Sequence, residues 1–163
     1  MRNKITVFNR YEYHKGFYND SNPEKALFDI NYTDFFDLPD DEDFFYSSAH
    51  DLLCGSCEIF ALTLKKFFEY NVYIIEENDN IGFHVFCQIY KDRELYYVDA
   101  RGITTSFDEF MDIAKQFIHK EYIIRQVNSK DIKEWQTDAL YSKEGYAFAE
   151  AIIKKYKECY TLE

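Results

Sequence analysis

The sequence predicts an α+β fold: a helix that carries a cysteine at its start, packed on an antiparallel sheet, with further helices at the C-terminal end. Three observations predict it. Helical periodicity opens at Cys57, strand-like segments follow between residues 72 and 100, and helical signals return after residue 106. That order is not the alternation that winds a parallel sheet.

The elements can be justified in turn. Residues 4–8 (KITVF) read as a short strand. Asn22-Pro23-Glu24 opens a short helix through Ile30, with Asn as cap, Pro at the first helical position and an acid in the first turn. Residues 34–46 alternate aromatic pairs with acids, and are expected to be irregular and pinned to the core by their rings. Asp40, Asp41, Glu42 and Asp43 within them read as a solvated loop. From Cys57, the residues Phe60, Ala61, Leu64, Phe67 and Phe68 fall on one face, which predicts an amphipathic helix over 57–70. Val72–Glu76, Phe83–Tyr90 and Glu94–Ala100 have strand composition, the last two joined by the polar turn Lys91-Asp92-Arg93. Ser106-x-x-Glu109 is a capping-box pattern that opens a helix to about His119. A strand over 122–127 and helices over 130–138 and 143–158 complete the chain, the last with Phe148, Ile152 and Tyr156 on one face.

Length and composition bound the rest. The 163 residues fit one domain, and 47% hydrophobic with 20% aromatic residues supplies ample core. A net charge of -11 repels phosphates and anionic lipid, which disfavours nucleic acid and membrane surfaces as partners; such a surface more often only maintains solubility, and otherwise favours a basic protein surface. No stretch has the roughly 18 apolar residues of a membrane span, and the start lacks the apolar core of a signal peptide. Four irregularly spaced cysteines fit free thiols in a reducing cytoplasm, of the producing cell or of a host cell. Cys87 and Cys159 read as core fillers, and His14, His50 and His119 show no partner pattern.

The chemistry-bearing candidates are Cys57, His84 and Asp99. A thiolate is the reactive form of cysteine, and a helix start favours it. An imidazole can take the thiol proton and return it to a leaving group, and a carboxylate can hold that imidazole in one tautomer. If Asp92 and Arg93 form a two-residue turn, Lys91 pairs Glu94 and His84 lies opposite Arg101, with Asp99 a same-face diagonal neighbour. A three-residue loop would put His84 and Asp99 on opposite faces. Asp99 alone would also suit a turn cap or a pair with Arg101.

The run Cys54-Gly55-Ser56-Cys57 followed by Ile59-Phe60-Ala61 resembles the catalytic-cysteine segment of papain-like proteases. The order of cysteine helix, His84 strand and Asp99 strand, with Val98-Asp99-Ala100-Arg101-Gly102 at the strand end, is similar to the transglutaminase-like core and to arylamine N-acetyltransferases. The resemblance covers residues 54–102. It implies hydrolysis or acyl transfer through a thioester on a peptide, amide or thioester, with Cys57 as nucleophile, His84 as base and Asp99 as orienter. No Gln precedes Cys57 as an oxyanion donor; the Cys57 backbone N–H, helped by His50 or Gln88, would serve. On this reading the enzyme uses no metal and no cofactor, and its partner is a peptide or protein substrate.

Cys57 could also be a plain buried structural thiol, and three further alternatives stay open on the residues alone. Cys54, Cys57, His84 and Cys87 have zinc-ligand arithmetic, although His84 and Cys87 would face opposite sides of a strand. Cys54-x-x-Cys57 also suits thiol–disulfide exchange, but both prolines precede it. The third is a non-enzymatic acidic binding or inhibitor protein, of effector or phage type, that keeps the scaffold.

Overall fold

A computed structural model describes residues 13–78, 83–137 and 142–162. The strand expected at residues 4–8 lies outside the described residues. The fold is α+β, as the periodicities predict. Its sheet consists of β1 (His14–Gly16), β2 (Asn71–Glu77), β3 (Phe83–Lys91), β4 (Glu94–Asp99), β5 (Gly102–Thr104) and β6 (Tyr122–Gln126), all antiparallel, in the order β1-β5-β4-β3-β2-β6. The helices are α1 (Pro23–Ala26), α2 (Cys57–Phe68), α3 (Phe107–Ala114), α4 (Ser129–Thr137) and α5 (Lys143–Lys155).

The β3–β4 hairpin fixes the register around the site. Asp92 and Arg93 take φ of 53° and 68°, the left-handed pair of a two-residue turn that matches strand twist. Lys91 accordingly pairs Glu94, and the ladder runs back to Cys87 opposite Val98. Beyond that point the strands part, because Asp99 turns away to pair Gly102 of β5. The parted end holds His84, Val85 and Asp99.

Side-chain alternation gives the sheet two covered faces. Val85, Cys87 and Val98 join Phe60, Ala61 and Leu64 of α2 and Phe148 and Ile152 of α5 in the larger core. Ile75, Phe86 and Tyr97 join Phe110 and Met111 of α3 in the smaller one. Helix α2 lies between β3 and α5. That position buries Ile59, Leu62 and Thr63 as well as Cys57, Phe60, Ala61 and Leu64 of the expected stripe, while Phe67 and Phe68 at its end are only half-buried.

Several boundaries differ from expectation, each for a local reason. Helix α2 stops at Phe68 because Glu69 adopts a left-handed cap at φ 60°. Asn22 caps α1 through the Lys25 amide, but the helix tightens to a 3₁₀ turn over Leu27–Asp29. Ser106 caps α3 through the Glu109 amide, yet the capping box is only half formed. The Ser106 amide instead donates to Thr104 Oγ1, and the Glu109 carboxylate goes to His14. Helix α3 ends at Ala114, short of His119, and α5 ends at Lys155, where another 3₁₀ turn begins. The aromatic segment 34–46 is irregular; Phe35 packs on Phe148 and Tyr46 is buried, while Phe36, Leu38 and Phe45 stay exposed.

Candidate active site

Cys57 is the first residue of α2, presented by a tight turn. Gly55 holds φ of 116°, a backbone shape that L side chains rarely adopt, and Ser56 is buried with its hydroxyl bonded to Tyr46 at 3.0 Å. The Cys57 sulfur is covered, with the residue only 6% exposed. It accepts a hydrogen bond from the Val85 backbone N–H at 3.3 Å and lies 3.9 Å from Glu58 Oε2. The sulfur thus sits on the parted end of β3, one residue along the chain from His84.

His84 and Asp99 meet, but the expected pairing of His84 with Arg101 does not form, because the β3–β4 ladder ends at Cys87 opposite Val98 and Asp99 pairs Gly102 instead. The imidazole Nε2 and the Asp99 carboxylate are 3.2 Å apart, and both residues are buried. The His84 ring stacks on Phe86 and tilts against Phe110, on the α3 face of the sheet. Asp99 has further partners. Arg101 donates to it from its backbone N–H, from Nε and from Nη2, the last at 2.7 Å. Tyr18 reaches the same carboxylate at 3.4 Å from the far end of the chain. The turn-cap and Arg101-pair roles considered for Asp99 therefore coexist with its bond to His84.

The structure brings His84 and Asp99 into direct contact, while the Cys57 sulfur meets the Val85 backbone N–H on the α2 side of β3 and the His84 ring packs on the α3 side. Among the described residues no hydrogen bond joins Cys57 to His84. The expected lowering of the thiol pKa is corrected. Burial pushes the Cys57 thiol up, the Glu58 charge adds to that, and the Val85 amide opposes it only in part. Burial also lowers the His84 pKa, against the pull of Asp99, so the imidazole is held neutral. Burial would raise the Asp99 carboxyl, but the Arg101 charge and the His84 and Arg101 hydrogen bonds outweigh it and hold the group ionised well below the usual carboxylate range.

The other expectations resolve on geometry. Cys87 donates to the Ala61 carbonyl on the α2 face, whereas His84 points to the α3 face, so the Cys54, Cys57, His84, Cys87 set does not converge. The four cysteines are free thiols. Cys87 fills the core, while Cys159 is only half-buried at its edge. His14 pairs Glu109 at 3.2 Å, and His50 pairs Glu24 at 2.8 Å with Cys54 beside it at 3.6 Å. Partners 26 positions apart for His50, and 95 for His14 (109 − 14), leave no local spacing to find them by.

Comparison with protein-family models, curated proteins and solved structures yields no match. Beside Arg101 and Tyr18 lies a cleft of about 740 Å³, whose lining includes Asp20, Glu24, Glu109 and Asp112. Four carboxyl side chains against His14 and an Arg101 already committed to Asp99 suit a cationic occupant. Among the described residues no helix is long and apolar enough to cross a membrane.

Proposed function

We propose that the chain is a cysteine-nucleophile hydrolase or acyltransferase in which Cys57 attacks a peptide, amide or thioester carbonyl. The observation that carries the reading is the buried contact of His84 Nε2 with Asp99, at the end of β3 where the neighbouring Val85 amide holds the Cys57 sulfur. With Nε2 engaged by the carboxylate, Nδ1 is the nitrogen left to take the thiol proton, once the ring turns from the α3 face toward Cys57. His84 takes the thiol proton as sulfur bonds to the carbonyl carbon, and returns it to the leaving group when the tetrahedral intermediate collapses. Water or an acceptor then releases the acyl group. Asp99 holds the imidazole in place and stabilises its charged form. The acidic cleft, which Arg101 and Tyr18 line but Cys57 and His84 do not, supports a basic peptide or protein segment as substrate.

A small activated ester tests this. In a rapid acid quench the trapped acyl group should reach at most one per chain, on the peptide that contains Cys57, and disappear in Cys57→Ser. His84→Gln should slow it about 10²–10⁴-fold. Acylation spread without preference over Cys54, Cys57 and Cys159, or a rate indifferent to His84→Gln, would sink the reading.

One observation favours a second reading, the acidic binding protein on the same scaffold. Arg101 forks onto Asp99 and the Cys57 thiol is covered, which suits a structural cluster. In that case Cys57→Ser leaves biological activity intact, while Asp112→Lys at the exposed cleft rim weakens capture of a lysine-rich peptide.

A further inference from the structure

A second constellation lies outside the cysteine–histidine–aspartate cluster. Glu24, His50 and Cys54 each offer one donor atom, and the three atoms lie within 4.8 Å of one another. Glu24 comes from α1, His50 from the 3₁₀ turn Ala49–Leu52, and Cys54 from the residues just after that turn. The His50 and Cys54 side chains are brought together by the turn itself, since the Cys54 amide donates to the His50 carbonyl at 2.9 Å.

The arrangement is not a proton relay. In a relay the acid and the thiol use different ring nitrogens. Here both face the same one: His50 Nε2 is 2.8 Å from Glu24 Oε1 and 3.6 Å from Cys54 Sγ, and that sulfur is 4.0 Å from the same carboxylate oxygen. Three donors that close a small triangle define a point between them. Around a tetrahedral zinc ion, sulfur, nitrogen and oxygen ligands stand roughly 3.3–3.6 Å apart, given bonds of about 2.3 Å to sulfur and about 2.0–2.2 Å to nitrogen and oxygen. The sulfur–nitrogen edge already fits. The sulfur–oxygen edge must close, and the nitrogen–oxygen edge, now a direct hydrogen bond, must open, each by about half an ångström.

We propose that Glu24, His50 and Cys54 form a binding site for a zinc-class divalent ion, with three protein ligands and a fourth position open to solvent. The surroundings support the donors as outer partners of a metal site do. Gln116 Nε2 donates to Glu24 Oε2 at 3.0 Å, which turns Oε1 toward the other two donors. The Phe28 ring stacks on His50 with centroids 4.1 Å apart and fixes the imidazole plane. The Glu24 side chain is 30% exposed and lines the acidic cleft, so one of the three donors reaches solvent there. Thiolate, imidazole and carboxylate together select zinc over magnesium or calcium. On binding, Cys54 gives its thiol proton to water, and the His50 proton resides on Nδ1 so that the Nε2 lone pair reaches the metal. The inference is independent of the Cys57 chemistry.

Cobalt(II) is the probe, because thiolate ligation gives it an intense near-ultraviolet charge-transfer absorption. The metal-stripped full chain should take up one cobalt per molecule with that absorption, and zinc should displace it. Cys54→Ser should abolish the absorption and Cys57→Ser should keep it. Gln116→Leu should weaken zinc about 10–100-fold, as loss of an outer partner does. In the unmutated protein, saturating zinc should shield Cys54 from alkylation and a chelator should restore it, as read by peptide mass. That measurement stands even if Cys54→Ser misfolds. No thiolate absorption, absorption that survives Cys54→Ser, or alkylation of Cys54 indifferent to zinc would overturn the proposal.

Discussion

Asp99 accepts from His84, Arg101 and Tyr18 inside the protein, and each of those groups is itself buried. The pH dependence of stability follows from the directions of two shifts. His84 has a folded-state pKa below its unfolded value of about 6.5, so the unfolded chain takes up a proton first. Stability is full above that value and falls as pH drops through it. Asp99 is held below its unfolded value of about 3.9, so its share is present above pH 4 and is lost below it. Both act in one direction. Urea midpoints should fall between pH 7.5 and 5.5 and again between 4.5 and 3. His84→Gln should flatten the first step and spare the second; an unchanged first step would contradict the neutral, buried assignment. At this scale the sequence was legible where one hairpin links the partners. The His84–Asp99 contact followed from Asp92-Arg93, and Arg101 stood two residues from Asp99. Tyr18 is 81 residues away, and nothing in the local pattern marks it as a partner of Asp99.

Elements were legible in proportion to their length. The twelve residues of α2 carry a clear helical period, and the nine of β3 a continuous strand-like composition. The three-residue strands His14–Gly16 and Gly102–Thr104 carry none, and they form because each completes the other's ladder at the edge of β4. Two substitutions probe backbone strain at this scale. Gly102 has φ of 116°, and a Cβ there would stand 2.4 Å from the Lys15 carbonyl oxygen of β1. Gly102→Ala should cost about 2–4 kcal/mol and loosen β1 from β5. Arg93 is exposed, with φ of 68° in the hairpin turn. Arg93→Gly should therefore gain up to about 1 kcal/mol, since relief of the left-handed strain exceeds the added chain entropy. Denaturation midpoints of the two variants should move in opposite directions.

At the scale of the molecule, the order of elements was enough to read an α+β fold, because consecutive strands are spatial neighbours from β2 to β5. The packing of α5 against α2 was not readable, since no local signal reports which helix covers another. The C-terminal segment adds a tie of the same kind. Tyr160 is fully buried, its hydroxyl donates to the Ala100 carbonyl at 2.8 Å, and its own carbonyl accepts from Tyr70. This sheet order has a kinetic consequence. The strands from β2 to β5 close through short connections, whereas β1 and Tyr160 must find partners far along the chain, a slower and costlier search. The transition state should hold the central strands and lack these outer ties. In stopped-flow measurements Tyr160→Phe should speed unfolding and leave refolding nearly unchanged, while Val85→Ala should slow refolding. The protein would then assemble the His84–Asp99 strands early and lock them late, with the last contacts to form deciding how long the native state survives.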